Sequence, residues 1–276
     1  MIETELADFI ADFIKENSNE IDNNEFEKVY NKLNSYPETY LIKPCLTELL
    51  IAAGIDPLLY MDKVPANYAL GLNIKSIKTP YGIKLIQSHA FSDCTELTEV
   101  DLSDSIIRID DSCFENCQNL RHIKLSANLS VIGSNSFNHC ESLEKIDLPE
   151  TLKYIDEKAF ASCTSLTTLD IPDSVIDLEW SVFADCEQLT SVSIGSGVYY
   201  ISPHCFSNCS SLETVKISKS VTSIGAYALR VCGDLSEIIY DGTMAEWKAI
   251  DKEDTWCPKK RSQELTIQCT DGEIYL

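Results

Sequence analysis

Between residues 83 and 243 the chain repeats one pattern of apolar and polar positions every 23 residues, seven times and without a gap. Its first column holds Ile83, Ile106, Leu129, Leu152, Val175, Val198 and Val221. Three residues on stand Ile86, Ile109, Ile132, Ile155, Leu178, Ile201 and Ile224. An aromatic column follows, Phe91, Phe114, Phe137, Phe160, Phe183 and Phe206, relaxing to Leu229, and then a cysteine column from Cys94 to Cys232. Leucine fills every row from Leu97 to Leu235, and two more apolar columns run from Val100 to Ile238 and from Leu102 to Tyr240. A unit this short cannot bury its own apolar face, so it must stack on copies of itself, and each column becomes a ladder through a solenoid.

Within a row, the segment L-x-x-V-x-L ends in alternation with β-branched residues and predicts a short strand whose copies align in a parallel sheet. The I-x-x-I stretch that opens each row predicts a second short extended piece. Between them, A-F-x-x-C sets a small residue, Phe and Cys at helical spacing and predicts one or two helical turns. At about 4.8 Å per stacked strand, the seven rows predict a stack roughly 30 to 35 Å long.

The flanks predict caps. Residues 1–63 read as an N-terminal helical cap, with Leu6, Phe9, Ile10, Phe13 and Ile14 on one helical face, a second stripe of Phe26, Val29, Tyr30 and Leu33, and a third helix after Pro44 that stops at Gly54. Residues 64–82 read as a degenerate entry repeat, with Tyr68 in the Phe column and Gly71 in the Cys column. Residues 244–276 read as a C-terminal cap: TMAEWKAI carries a capping-box signature in Thr243 and Glu246, and ELTIQCTDGEIYL predicts a hairpin about an Asp-Gly turn. The expected fold is thus an α/β solenoid, a right-handed stack with a parallel β-sheet, an N-terminal helical cap and a C-terminal helix plus β-hairpin.

The pattern I-x-x-A-F-x-x-C-x-x-L-x-x-I-x-I-P-x-S-V, nearly whole in IDEKAFASCTSLTTLDIPDSV (155–175), resembles the BspA-like class of leucine-rich repeats. The resemblance spans residues 83–243. It implies a protein-binding or adhesive surface, often displayed outside bacterial or protozoan cells.

Twelve cysteines would suit a disulfide framework. Seven of them share one column, however, where neighbours would lie about 5 Å apart with parallel Cβ vectors, poorly placed to bond. The column predicts buried reduced thiols that act as small apolar residues and reach a backbone carbonyl with S–H. Cys113 and Cys205 precede Cys117 and Cys209 by four residues, but other rows hold Ala90, Ser136, Ala159, Val182 and Ala228 there, so the position asks for something small and not for a metal ligand.

The formal charge of −22 is spread along the chain: −6 over residues 1–82, −14 over 83–243 and −2 over the remainder. Without a basic stripe, this field disfavours nucleic acid. No apolar run reaches the roughly 18 residues of a membrane span. The opening MIETELADFIADFIKEN has no basic region ahead of a continuous apolar stretch, so it does not read as a secretory signal. The expected location is cytoplasmic, with a cell surface as the alternative if a leader was removed.

No phosphate-cradling glycine loop, nucleophile elbow, zinc-binding helix motif or EF-hand loop is present in the sequence. His89 and His204 share a column five rows apart, and His122 and His139 stand alone in theirs. No catalytic residue, metal site or cofactor is expected. The variable positions carry a separate group: Tyr154, Ile176, Trp180, Tyr199 and Tyr200 fall in three successive rows near the row starts, as interface anchors do. The expected function is a non-enzymatic protein-protein interaction module with a protein partner, the alternative being a structural or adhesive surface protein.

Overall fold

The computed structural model describes residues 63–64, 66–69, 72–257 and 264–276. The expected N-terminal helical cap, apart from Lys63, and Gly71 of the entry repeat lie outside the described residues.

Most rows contribute two short parallel strands, and successive rows pair in register except at one break in each ladder. The row-opening strands are β1 (Lys63–Val64), β3 (Leu85–Ile86), β5 (Arg108–Ile109), β7 (Val131–Ile132), β8 (Tyr154–Ile155) and β10 (Asp177–Leu178), which form one sheet in that order. A second piece of the same ladder holds β12 (Tyr200–Ile201), β14 (Ser223–Ile224) and β16 (Asp251–Lys252). The later strands form the main sheet, also in two pieces: β2 (Ser76–Lys78), β4 (Glu99–Asp101) and β6 (His122–Lys124), then β9 (Thr168–Ile171), β11 (Ser191–Ile194), β13 (Thr214–Ile217), β15 (Glu237–Tyr240), β17 (Thr266–Cys269) and β18 (Gly272–Tyr275). Residues 145–148 between the two pieces take no strand conformation.

The registers confirm the 23-residue period. Val192 lies opposite Leu169 and Val215, and Val100 opposite Ile77 and Ile123. Val64 pairs with Ile86 and the Tyr68 ring meets Phe91 edge-on at 5.7 Å, so a further row precedes Ile83. The core is the ladder itself. The six phenylalanines, fully buried, stack with centroids 5.3, 5.2, 5.1, 5.4 and 5.6 Å apart and planes within 12° of parallel. That spacing lies within the offset-stacked range of aromatic pairs.

The segment between the two strands departs from expectation. It is not helical: it is a run of turns in which two columns adopt positive φ in every row, from His89 to Tyr227 and from Asp93 to Val231, with φ between 54° and 62°. Alternate amides then point along the stack. The N–H groups of His89, Phe91 and Asp93 donate to the carbonyls of Asp111, Cys113 and Glu115 in the next row at 3.0, 2.8 and 2.8 Å, while those of Ala90, Ser92 and Cys94 close turns within their own row. A helical turn would leave its end amides and carbonyls without partners. The turn run lets the neighbouring row satisfy them, which repays the cost of left-handed backbone in residues other than glycine.

The cysteine column behaves as its spacing predicts. Cys117, Cys140, Cys163, Cys186 and Cys209 donate through Sγ to the carbonyls of Phe91, Phe114, Phe137, Phe160 and Phe183, one row back, at 3.1 to 3.4 Å. Burial raises these thiol pKa values, that of Cys163 to about 12. Thiolate, the reactive form, is therefore suppressed. A thiol reagent applied to the folded protein at neutral pH should leave these five unmodified and label the half-buried Cys269, as read by mass spectrometry of the digested protein. Labelling of the five at the rate seen in denaturant would show that the column is open.

At the C-terminal end, helix α1 (Met244–Ala249) begins with the expected capping box: Thr243 accepts from the Glu246 amide, and the Glu246 side chain accepts from the Thr243 amide. Trp247 from this helix packs edge-on to Tyr240 and Trp256 at 5.3 and 6.1 Å. Lys252 Nζ sits 4.8 Å over the Trp247 ring and donates to the Trp247 and Ile250 carbonyls, covering the end of the helix. β17 adds in parallel to β15, and β18 folds back antiparallel on β17. The hairpin turn is Thr270–Asp271 and not Asp-Gly: Gly272 already pairs with Cys269, and Asp271 accepts from the Met244 amide. Among the described residues no helix is long and apolar enough to cross a membrane.

Candidate interaction face

The row-opening ladder turns its Ile and Leu column inward and leaves the two preceding positions outside. Tyr154 and Asp177 are directly opposite one another on β8 and β10, and Tyr200 holds the same position on β12. Ile176 and Tyr199 stand one residue earlier in their rows, and Trp180 follows β10. All five are exposed, by 43, 46, 57, 59 and 40% for Tyr154, Ile176, Trp180, Tyr199 and Tyr200. They do not pack beneath any described element. Rigid rows therefore present them to solvent as one group.

The ladder divides beneath this group. Among the described residues no strand pairing joins β10 to β12, whereas β8 pairs with β10 and β12 with β14. Tyr200 leans over the next row, its hydroxyl 2.7 Å from where a Cβ on Gly225 would lie. Glycine at 225 makes room for the ring.

Carboxylates stand in two of the three rows: Asp156 and Glu157 with Tyr154, and Asp177 and Glu179 with Ile176 and Trp180, while Asp110 and Asp111 stand two rows before Tyr154. Burial raises the pKa of Asp156, and the charges of Asp111 and Asp177 raise it further against the opposing pull of Arg108. Glu179 is also raised, by desolvation first and then by Asp177, Asp156 and Glu157. Arg108 Nε is engaged by Asp110 at 2.5 Å and Lys158 Nζ by Glu157 at 2.9 Å. Among the described residues no ion pair reaches Asp156, Asp177 or Glu179.

The main sheet offers a different surface. An open depression of about 520 Å³ runs beside the strand interruption, lined by Lys145, Asp147, Asp170, Asp173, Ser193 and Lys216 among others. The charges of this sheet are mixed and partly paired: Lys145 meets Asp147 at 2.7 Å within the depression, while outside it Asp101 bridges Lys78 and Lys124 at 3.2 Å each. The hydrogen bond from Lys124 lowers the Asp101 pKa. No large apolar side chain lining the depression is exposed. Among the described residues no three His, Cys, Asp or Glu side chains converge as a metal site would require. His89 and His139 sit exposed in the two positive-φ columns, and His204 packs on Tyr227 at 4.9 Å, which accounts for them as turn residues.

Sequence reasoning missed Ile107, exposed by 49% in the same column as Ile176 and Tyr199 but separated from them by Ser130 and Lys153. Its position outside the core columns was the available signal.

A family model described as BspA type leucine rich repeat region matches the chain in 6 copies, over residues 65–186 and 130–249. Among solved structures, a leucine rich repeat protein of T. pallidum is 28% identical, with a TM-score of 0.55 and coverage of 58% of this chain and 77% of that one. A leucine rich cell surface protein from Faecalibacterium prausnitzii is 18% identical over 70% of this chain and 86% of that one, with a TM-score of 0.39. The pneumococcal vaccine antigen PcpA is 14% identical over 77 and 72%, with a TM-score of 0.46. No curated protein matches the chain.

Proposed function

The chain belongs to the BspA-type leucine-rich repeat family, whose members are generally protein-interaction or adhesion modules, and from that premise we propose that it binds a partner protein through its exposed aromatic group and catalyses no reaction. The observation that carries this reading is the exposure of Tyr154, Ile176, Trp180, Tyr199 and Tyr200 together on adjacent rows. Aromatic side chains offer large contact area at low entropic cost, and rows bonded to one another through the main sheet and the turn run hold them in place before binding. The main sheet, by comparison, exposes no aromatic side chain on its parallel strands, Tyr275 standing alone on the antiparallel edge strand β18, so it offers no cluster of the anchors that dominate binding energy.

The test is affinity capture from lysate of the source cell with the wild-type protein and with W180S/Y199S/Y200S. These side chains are exposed, so the variant should unfold at the same temperature as wild type. A protein retained by the wild type and lost by the folded variant supports the reading. Equal retention moves the interface to another surface, and retention by neither leaves the structural or adhesive role as the better account.

A further inference from the structure

Resting on the reading of the aromatic group as the contact surface, we propose that the partner element it takes is an arginine-rich segment, held by guanidinium groups stacked on Trp180, Tyr154 and Tyr200 and bonded to Asp156, Asp177 and Glu179. Three observations meet here. The rings are exposed. Asp177 lies directly opposite Tyr154, Asp156 stands in the row of Tyr154 and Glu179 in that of Trp180, and no cation of the described chain comes within ion-pair distance of any of them, Arg108 acting on Asp156 only at longer range. The carboxylates act on one another, since Asp177 raises the pKa of both Asp156 and Glu179.

Such a surface has a definite complement. Like charges held close by a rigid scaffold repel, and a cation brought among them relieves that repulsion. Arginine suits the site better than lysine because its planar group both stacks on an aromatic face and bridges a carboxylate through paired N–H donors. An acidic or apolar segment would place like charges or unmatched surface against the carboxylates. The overall charge of −22 adds long-range attraction for the same partner and speeds encounter.

The experiment uses the full chain and a synthetic peptide of alternating arginine and glycine, with glutamate–glycine and lysine–glycine peptides of equal length for comparison, in calorimetric titrations. The arginine peptide should bind more tightly than the lysine peptide, and the glutamate peptide should not bind. Raising salt from about 50 to about 200 mM should weaken binding. D156N/D177N/E179Q and Y154S/W180S/Y200S should each weaken it by about tenfold or more. Neutralising Asp101, Asp147 and Asp170 on the main sheet should leave it unchanged. Equal losses from the two carboxylate sets would mean that diffuse charge attracts the peptide, and the inference falls. It falls too if the arginine peptide fails to bind or if neutral Asp156, Asp177 and Glu179 make no difference. Affinity capture then separates this failure from that of the broader reading: a partner kept by D156N/D177N/E179Q but lost by the aromatic variant leaves the face as an interface for a segment that is not basic.

Discussion

Phe160→Ala should lower the unfolding free energy by about 3–5 kcal/mol, the cost usual for removing a fully buried aromatic ring. Phe160 has no exposed surface and lies between Phe137 and Phe183, with centroids 5.1 and 5.4 Å away and planes within 4° of parallel. Those neighbours are fixed by hydrogen bonds along the stack, among them Phe137 N–H to the Ala159 carbonyl at 2.7 Å and Phe160 N–H to the Val182 carbonyl at 2.9 Å. The rows on either side therefore cannot close over the gap, and most of the cavity remains. In a solenoid each row contacts only its neighbours, so a defect in the middle uncouples the two halves. Denaturation followed by circular dichroism should show a midpoint lower by about 10 °C or more, with a broader transition. A loss below about 1 kcal/mol would mean that the stack is loosely packed and repacks around alanine.

Trp247→Ala should cost a similar amount, about 3–5 kcal/mol, but at one end of the molecule. Trp247 is 3% exposed, although it stands on a helix of only 6 residues. It touches Tyr240 of the last regular row and Trp256 beyond it, and its ring carries Lys252. Removing it opens the apolar end of the column and leaves the Lys252 ammonium without its ring. Hydrogen exchange should then speed up in β14, β15 and β16, while β4 and β6 keep their wild-type protection, as local opening from a terminus requires. Uniform acceleration across all rows would show that the stack opens as one unit and that the end rows have no separate stability.

The columns were legible because a period of 23 residues with apolar positions in fixed places admits only stacking as a way to bury them. The Phe stack, the paired strand registers and the Cys-to-carbonyl bonds all follow from that. What the sequence misdirected was the turn run around the phenylalanine. Spacing alone suggested a helix, yet the residues at the two positive-φ columns carried a contrary signal: His, Ser, Asn and Lys in one until Tyr227, and Asp, Asn, His and Ser in the other until Val231. Asn, Asp and His are the non-glycine residues enriched in left-handed backbone.

The divisions of both sheets were not legible. They depend on small departures from perfect stacking between β10 and β12 and at residues 145–148, and the apolar columns run through both without change. Nor was β16, since Lys252 replaces the aliphatic residue, Val64 and then Ile or Leu, that marks its position in the earlier rows. The aromatic group was visible as large residues in variable columns. Its exposure depended on whether any other element lay over it, which a pattern of positions does not record.

Hydroxyl-radical footprinting of the protein with and without its captured partner is the most direct check on the aromatic face. Tyr154, Trp180, Tyr199 and Tyr200 should lose modification on binding, while Tyr81 and Tyr275, exposed by 87 and 58% elsewhere on the molecule, should keep theirs. Undiminished modification of the four rings in a saturated complex, or protection confined to Tyr81 or Tyr275, would contradict it.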